Sequence, residues 1–153
     1  GGKLGQVVST AKTDTFSTTS TSFTDITGLS VSITPSSATS KILVLATFKT
    51  AVSGDIAFFQ RLIRDSTAIC IGDAASSRTR TTTANIPGST GNIDIVTQAI
   101  NFLDSPSTTS ATTYKIDCKV SSGTGYLNRT GFDTDSASLP RTASTITVME
   151  ILA

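Results

Sequence analysis

The sequence predicts an all-β domain, a sandwich of antiparallel strands. Three observations carry that expectation. The apolar residues fall in short β-branched runs, turn-forming Gly, Pro, Asp and Ser separate the runs, and serine plus threonine make up about one third of the 153 residues. Thr fits a pleated, half-buried surface well. A Ser/Thr-rich composition alone would also suit a disordered stalk, but such chains lack runs of buried-type residues. A chain of this length suits one domain over residues 1–153, burying roughly 68–70 % of its unfolded surface.

The strands are read in order. Gly5–Ala11 is a short first strand, and Phe23–Ile26 a second. Leu29–Thr34 alternates cleanly and stops at Pro35, which has no N–H to give a ladder. Lys41–Val52 is long and closes at Ser53-Gly54. Ile56–Arg64 follows; Ile56, Phe59 and Ile63 also fit one helical face, but the flanking Gly54 and neighbouring strands favour β. Ala68–Ile71 is short, and 72–91 is the longest irregular stretch. Asn92–Leu103 is a second long strand, stopped by Asp104-Ser105-Pro106. Thr112–Val120, Tyr126–Asn128 and Thr145–Ile151 complete eight to ten strands, with no major helix.

Several strands are apolar on both faces. Ile42, Val44, Ala46 and Phe48 oppose Leu43 and Leu45. Ile93, Ile95, Ala99 and Leu103 oppose Val96, Ile100 and Phe102. Ile146, Val148 and Leu152 oppose Met149 and Ile151. In a sandwich only one face of each sheet meets the other sheet, so the second needs cover. A second copy of the chain is the economical cover, because most soluble oligomers are symmetric; a long loop is the alternative. Leu43, Leu45, Val96, Ile100, Phe102 and Met149 are the candidate interface residues. Glu150 shares a face with Ile146, Val148 and Leu152. A buried carboxylate needs a partner, and Arg61, Arg64 and Arg141 are the candidates, in an intersubunit or intersheet pair that fixes register.

Three stretches carry a resemblance: LGQVVSTAKTDTFSTTSTSFTDITGLSVSITPSSATSKILVL near the start, and FLDSPSTTSATTYKIDCKV and NRTGFDTDSASLPRTASTITVMEI towards the end. They resemble a domain of phages, often marine ones, found in tail-fibre-like and other virion proteins, frequently as the C-terminal part of a longer chain. The domain is similar to the trimeric jelly rolls of the C1q and tumour-necrosis-factor type. The resemblance implies a homotrimer on the virion exterior, a fibre tip or a capsid decoration domain, with other virion proteins and a host surface glycan as partners. It also implies that the first and last strands pair. The chain opens on Gly1-Gly2-Lys3 rather than Met, as a processed product or a piece of a longer protein would.

Chemistry is thinly represented. Twelve basic against eleven acidic residues leave a net charge of +1, which points neither to nucleic acid nor to a membrane surface. No run of about 18 apolar residues suggests a spanning helix. Histidine is absent, which removes the Ser–His–Asp and Cys–His nucleophile systems. No phosphate-binding loop or metalloprotease motif occurs, so no enzyme and no cofactor is expected. Cys70 and Cys118 are read as buried small hydrophobes, with a disulfide as the alternative. Asp133 and Asp135 suit a solvated turn better than a calcium loop or a glycosidase pair. Asn128-Arg129-Thr130 matches a glycosylation sequon, read as chance. For recognition, the candidates are Arg78 and Arg80 in the long loop, by bidentate contact with anionic groups, and Tyr126 and Arg129, with Phe132 beside them, in the segment Gly123–Asp135. A carbohydrate-binding, receptor-recognition module is therefore the alternative function.

Overall fold

The computed structural model describes residues 2–87 and 94–152. Eleven strands are formed there: β1 (Lys3–Lys12), β2 (Phe16–Thr18), β3 (Thr24–Ile33), β4 (Lys41–Val52), β5 (Phe58–Arg64), β6 (Thr67–Ile69), β7 (Thr83–Asn85), β8 (Val96–Asp104), β9 (Thr112–Val120), β10 (Gly125–Leu127) and β11 (Ser144–Leu152). No helix occurs among the described residues. Most of the Ile56–Arg64 run, from Phe58 on, forms β5, so its helical spacing is coincidental.

All pairings are antiparallel. In the first sheet β1 pairs with β11, β11 with β4, and β8 lies on the other edge of β4. Where β11 leaves β4, β10 takes over that edge at Thr50–Val52 and carries β2 beyond it. In the second sheet β3, β9 and β5 are consecutive neighbours, and β6 and β7 share the far edge of β5. The result is a jelly-roll sandwich in which the first and last strands are neighbours.

The core lies between the sheets. Ile42, Val44, Ala46 and Phe48 of β4, Ile146 and Val148 of β11 and Ile100 of β8 meet Leu29, Val31, Phe58, Leu62, Tyr114 and Ile116 from the other side. The period-2 alternation of β4 and β11 selects these residues. Strand β3 merges the two short strands expected at Phe23–Ile26 and Leu29–Thr34. A register shift between Asp25 and Ser30, with Gly28 at φ 82°, resets the alternation so that Ile26 and Leu29 are both buried.

The sheets close tightly where β10 meets β5. A Cβ on Gly125 would lie 2.7 Å from two ring carbons of Phe58, and Phe58 is fully buried. We expect Gly125→Ala to lower stability by about 1–3 kcal/mol through overpacking, measured by urea unfolding; a change within error would mean that the ring shifts freely.

Two expectations are corrected. Cys118 is buried and its thiol is pushed up to about 12, mainly by that burial, but Cys70 is exposed and neither forms a disulfide. Glu150 is buried, yet it meets no arginine of its own chain. Arg64 pairs with Asp104, Arg61 with Asp117 and Arg141 with Asp133. Glu150 instead accepts hydrogen bonds from the Ser36 N–H (2.6 Å), the Ser36 hydroxyl (2.7 Å) and Gln6 Nε2 (3.0 Å). The β3–β4 loop and the register shift in β1 between Leu4 and Val7 bring these neutral donors closer than any cation.

Candidate functional site

The outer faces of the two sheets differ in chemistry. On the second sheet, Arg61 makes a bidentate pair with Asp117 (3.0 and 2.5 Å) and lies 3.5 Å over the Phe23 ring. Lys115 pairs with Asp25 at 2.7 Å, and Lys119 sits 5.1 Å from the Phe23 centroid. This face is charged and finds its partners within the chain.

The first sheet is different. Residues opposite one another on neighbouring strands share a face, and the register aligns Val7 with Met149, Met149 with Leu43, and Leu43 with Leu103. An uninterrupted apolar row therefore crosses all four strands on the outside of the sandwich. Val7 is 51 % exposed and Leu103 48 %. Leu4 and Ile151 extend the row towards one end of the strands, and Leu45 towards the other. Ser9, Thr147 and Asn101 flank Leu45 in the next row, where the Ser9 and Thr147 hydroxyls are 2.8 Å apart. The patch is apolar at its centre and polar at its margin, the distribution of a protein–protein interface.

The register corrects the face expected for β8. Leu43 and Leu45 do lie on the outer face and Met149 joins them. Ile100 instead packs in the core and Phe102 packs against it, and Val96 shares their parity. The outward residues of β8 are Ala99 and Leu103. Ile93, expected in the same strand, lies outside the described residues.

The four candidate recognition residues divide into two groups. Arg78 and Arg80 lie on the β6–β7 loop, attached to the second sheet. That loop is closed by the Gly72 N–H donating to the Thr81 carbonyl at 3.1 Å and by Arg80 Nε donating to the Gly72 carbonyl at 2.7 Å. Tyr126 and Arg129 belong to the first sheet and the loop that follows it, with the Arg129 guanidinium 4.6 Å over the Tyr126 ring.

Asp133 is taken up by two cations, Arg129 at 3.0 Å and Arg141. That pairing does not suit calcium, which needs several oxygen ligands without competing positive charge. No group of three or more His, Cys, Asp or Glu side chains gathers as a metal site among the described residues. No helix there is long and apolar enough to cross a membrane.

No protein-family model matches the chain, and no curated protein matches it. Solved structures align with it over nearly its whole length. One is the structure of T=1 particles derived from infectious bursal virus, at 14 % identity and a TM-score of 0.48, covering 97 % of this chain and 36 % of that one. A second is the VP2 subviral particle of infectious bursal disease virus, at 15 % identity and a TM-score of 0.47, covering 97 % and 38 %. A third is the Gx strain of the same virus, at 13 % identity and a TM-score of 0.43, covering 97 % and 37 %. The chain spans little more than a third of the length of these solved chains.

Proposed function

We propose that this chain is a non-enzymatic structural domain of a phage particle, exposed on the virion as a fibre tip or capsid decoration. In this reading three copies pack through the outer face of the β1–β11–β4–β8 sheet. The apolar row Val7–Met149–Leu43–Leu103 carries the reading, because it crosses a whole sheet face and, among the described residues, its ends Val7 and Leu103 are about half exposed. A second copy suits the row because the patch lacks charge at its centre, whereas the charged outer face of the other sheet satisfies itself. The phage assignment draws on the resemblance of the segments quoted above. Three copies per fibre would multiply weak individual contacts into avidity, and other virion proteins would hold the assembly in place.

Sedimentation of the whole chain tests the assembly. The native particle should have three times the 15.8 kDa mass of one chain. Leu43→Asp places a carboxylate in the middle of the row and should reduce the particle to monomers. A native chain that sediments as a monomer, or a trimer that survives both Leu43→Asp and Met149→Asp, would sink the proposal.

A further inference from the structure

The loop between β10 and β11, residues 128–143, exceeds the roughly 12–15 residues beyond which irregular loops become uncommon and tend to be functional. It is also well anchored. Asn128 is fully buried with φ 61°. Its Nδ2 donates to the Lys12 carbonyl (2.9 Å) and the Asp14 carbonyl (3.0 Å), and its Oδ1 accepts from the Ser144 hydroxyl (2.6 Å). The Thr142 N–H returns to the Asn128 carbonyl at 3.1 Å. Within the loop, the Thr130 hydroxyl donates to the Phe132 carbonyl at 2.6 Å and the Leu139 N–H to the Ser136 carbonyl at 3.0 Å.

This framework borders an open, shallow cleft of about 300 Å³ lined by Asp133, Thr134, Asp135, Ser136, Leu139 and Arg141. That volume is at the lower end for small-molecule sites. Arg129 is stacked on Tyr126 and donates to the Thr130 and Gly131 carbonyls at 3.0 and 3.1 Å, so it holds Asp133 in place. Arg141 is bonded to Asp133 through one nitrogen, is half exposed, and keeps other N–H donors unspent. Phe132 is outside that lining but adjoins it in the chain, directly before Asp133, and is 52 % exposed.

We propose that this loop binds a neutral saccharide. A fixed guanidinium and carboxylate side by side match the donors and acceptors of neighbouring sugar hydroxyls. Leu139 and the Phe132 ring offer apolar surface to the C–H faces of a pyranose. Two arginines balance Asp133 and Asp135, so the site has no net charge with which to favour an acidic sugar. The loop begins beside Lys49, six residues along β4 from Leu43, about 20 Å at strand rise. Saccharide binding is thus separate from the assembly face and does not rest on the trimer.

Titrations of the whole chain, followed residue by residue by NMR, test this. The probes are the methyl glycosides of glucose, galactose and mannose, with methyl glucuronide as the acidic counterpart. At least one neutral glycoside should give saturating shifts confined to residues 128–143. Arg141→Ala should weaken that binding by about tenfold and Phe132→Ala by about threefold to tenfold. Both side chains are exposed, so the fold survives, as the same spectra show. Lys119→Ala, on the opposite sheet, should change nothing. Leu43→Asp should leave the shifts in place, so failure of the trimer and failure of this site read differently. No response to any neutral glycoside, equal or tighter binding of the glucuronide, or binding indifferent to Arg141→Ala would overturn the proposal.

Discussion

Asp104→Ala should lower unfolding free energy by about 3 kcal/mol, the lower end for losing one partner of a buried ion pair. Asp104 is 5 % exposed at the end of β8. Both of its oxygens accept from Arg64 Nη1 at 2.9 Å, and Oδ2 also accepts from the Tyr114 hydroxyl at 2.7 Å. Arg64 is on β5 and Tyr114 on β9, so one carboxylate ties the first sheet to two strands of the second. The lower figure applies because the Arg64 side chain is 27 % exposed and water recovers part of its solvation. Tyr114 has no such outlet, being fully buried. At this chain length the loss should appear as a fall of roughly 6–12 °C in Tm. Asp104→Asn keeps an acceptor for Tyr114 and should cost less. Adding Tyr114→Phe to Asp104→Ala should cost less than the two single effects together, since they remove one network. A Tm within about 2 °C of the native value for Asp104→Ala would show that the clamp adds nothing. Burial, then the bond to Asp104, raises the Tyr114 hydroxyl above its usual 10.0. Its contribution is therefore present below that value and falls away as pH rises past it.

Sandwich and core were legible because a period of two reads clearly where one face carries more apolar residues than the other. In β4 four apolar residues, Ile42, Val44, Ala46 and Phe48, are on the core side against Leu43 and Leu45 outside, and in β11 the core residues Ile146 and Val148 alternate with Thr145 and Thr147. β8 was ambiguous because Ala99 and Leu103 on one face nearly match Ile100 and Phe102 on the other. Only its pairing with β4 selects the inward set, by placing Ile100 opposite Ala46 and Phe102 opposite Val44. β3 was split in sequence because the irregularity around Gly28 breaks alternation, which period-two reading takes for a strand end. Strands β2 and β7 have three residues each, too few for a period to register. The apolar row is a cross-strand property, invisible until register is known, although Leu43, Leu45 and Met149 were legible as a second face. The loop proposed to bind a saccharide was visible only as scattered Tyr126, Arg129, Phe132 and Asp133. That Arg141 returns to Asp133 depends on a backbone path set by Asn128, whose role no side-chain pattern signals.

Glu150→Gln should remove about 1.5 kcal/mol of stability, the lower end for hydrogen bonds to a charged group, and flatten the acid limb of the stability curve. Glu150 and Asp104 flank Ile42 from opposite sides in one inward row of the first sheet. They close the same end of the sandwich by different means, Asp104 with a cation and Glu150 with neutral donors. The cover over Glu150 is thin, because Ser36 and Gln6 are themselves exposed, so water nearby limits the cost. The Ser36 hydroxyl above all, helped by the Ser36 N–H and Gln6 and opposed by burial, lowers the Glu150 carboxyl from 4.5 to about 2. A depressed folded-state value means that the native state holds the carboxylate where the unfolded chain has begun to protonate it. The contribution is whole above 4.5 and lost as pH falls through about 2. The Gln side chain has no titration, and its NH2 group faces donors where an acceptor is needed. The two proteins should therefore differ most at neutral pH and converge near pH 2 in urea unfolding series. A constant difference across that range would assign the effect to packing. Equal stability at neutral pH would mean that the carboxylate stabilises the Ser36 turn no better than an amide does.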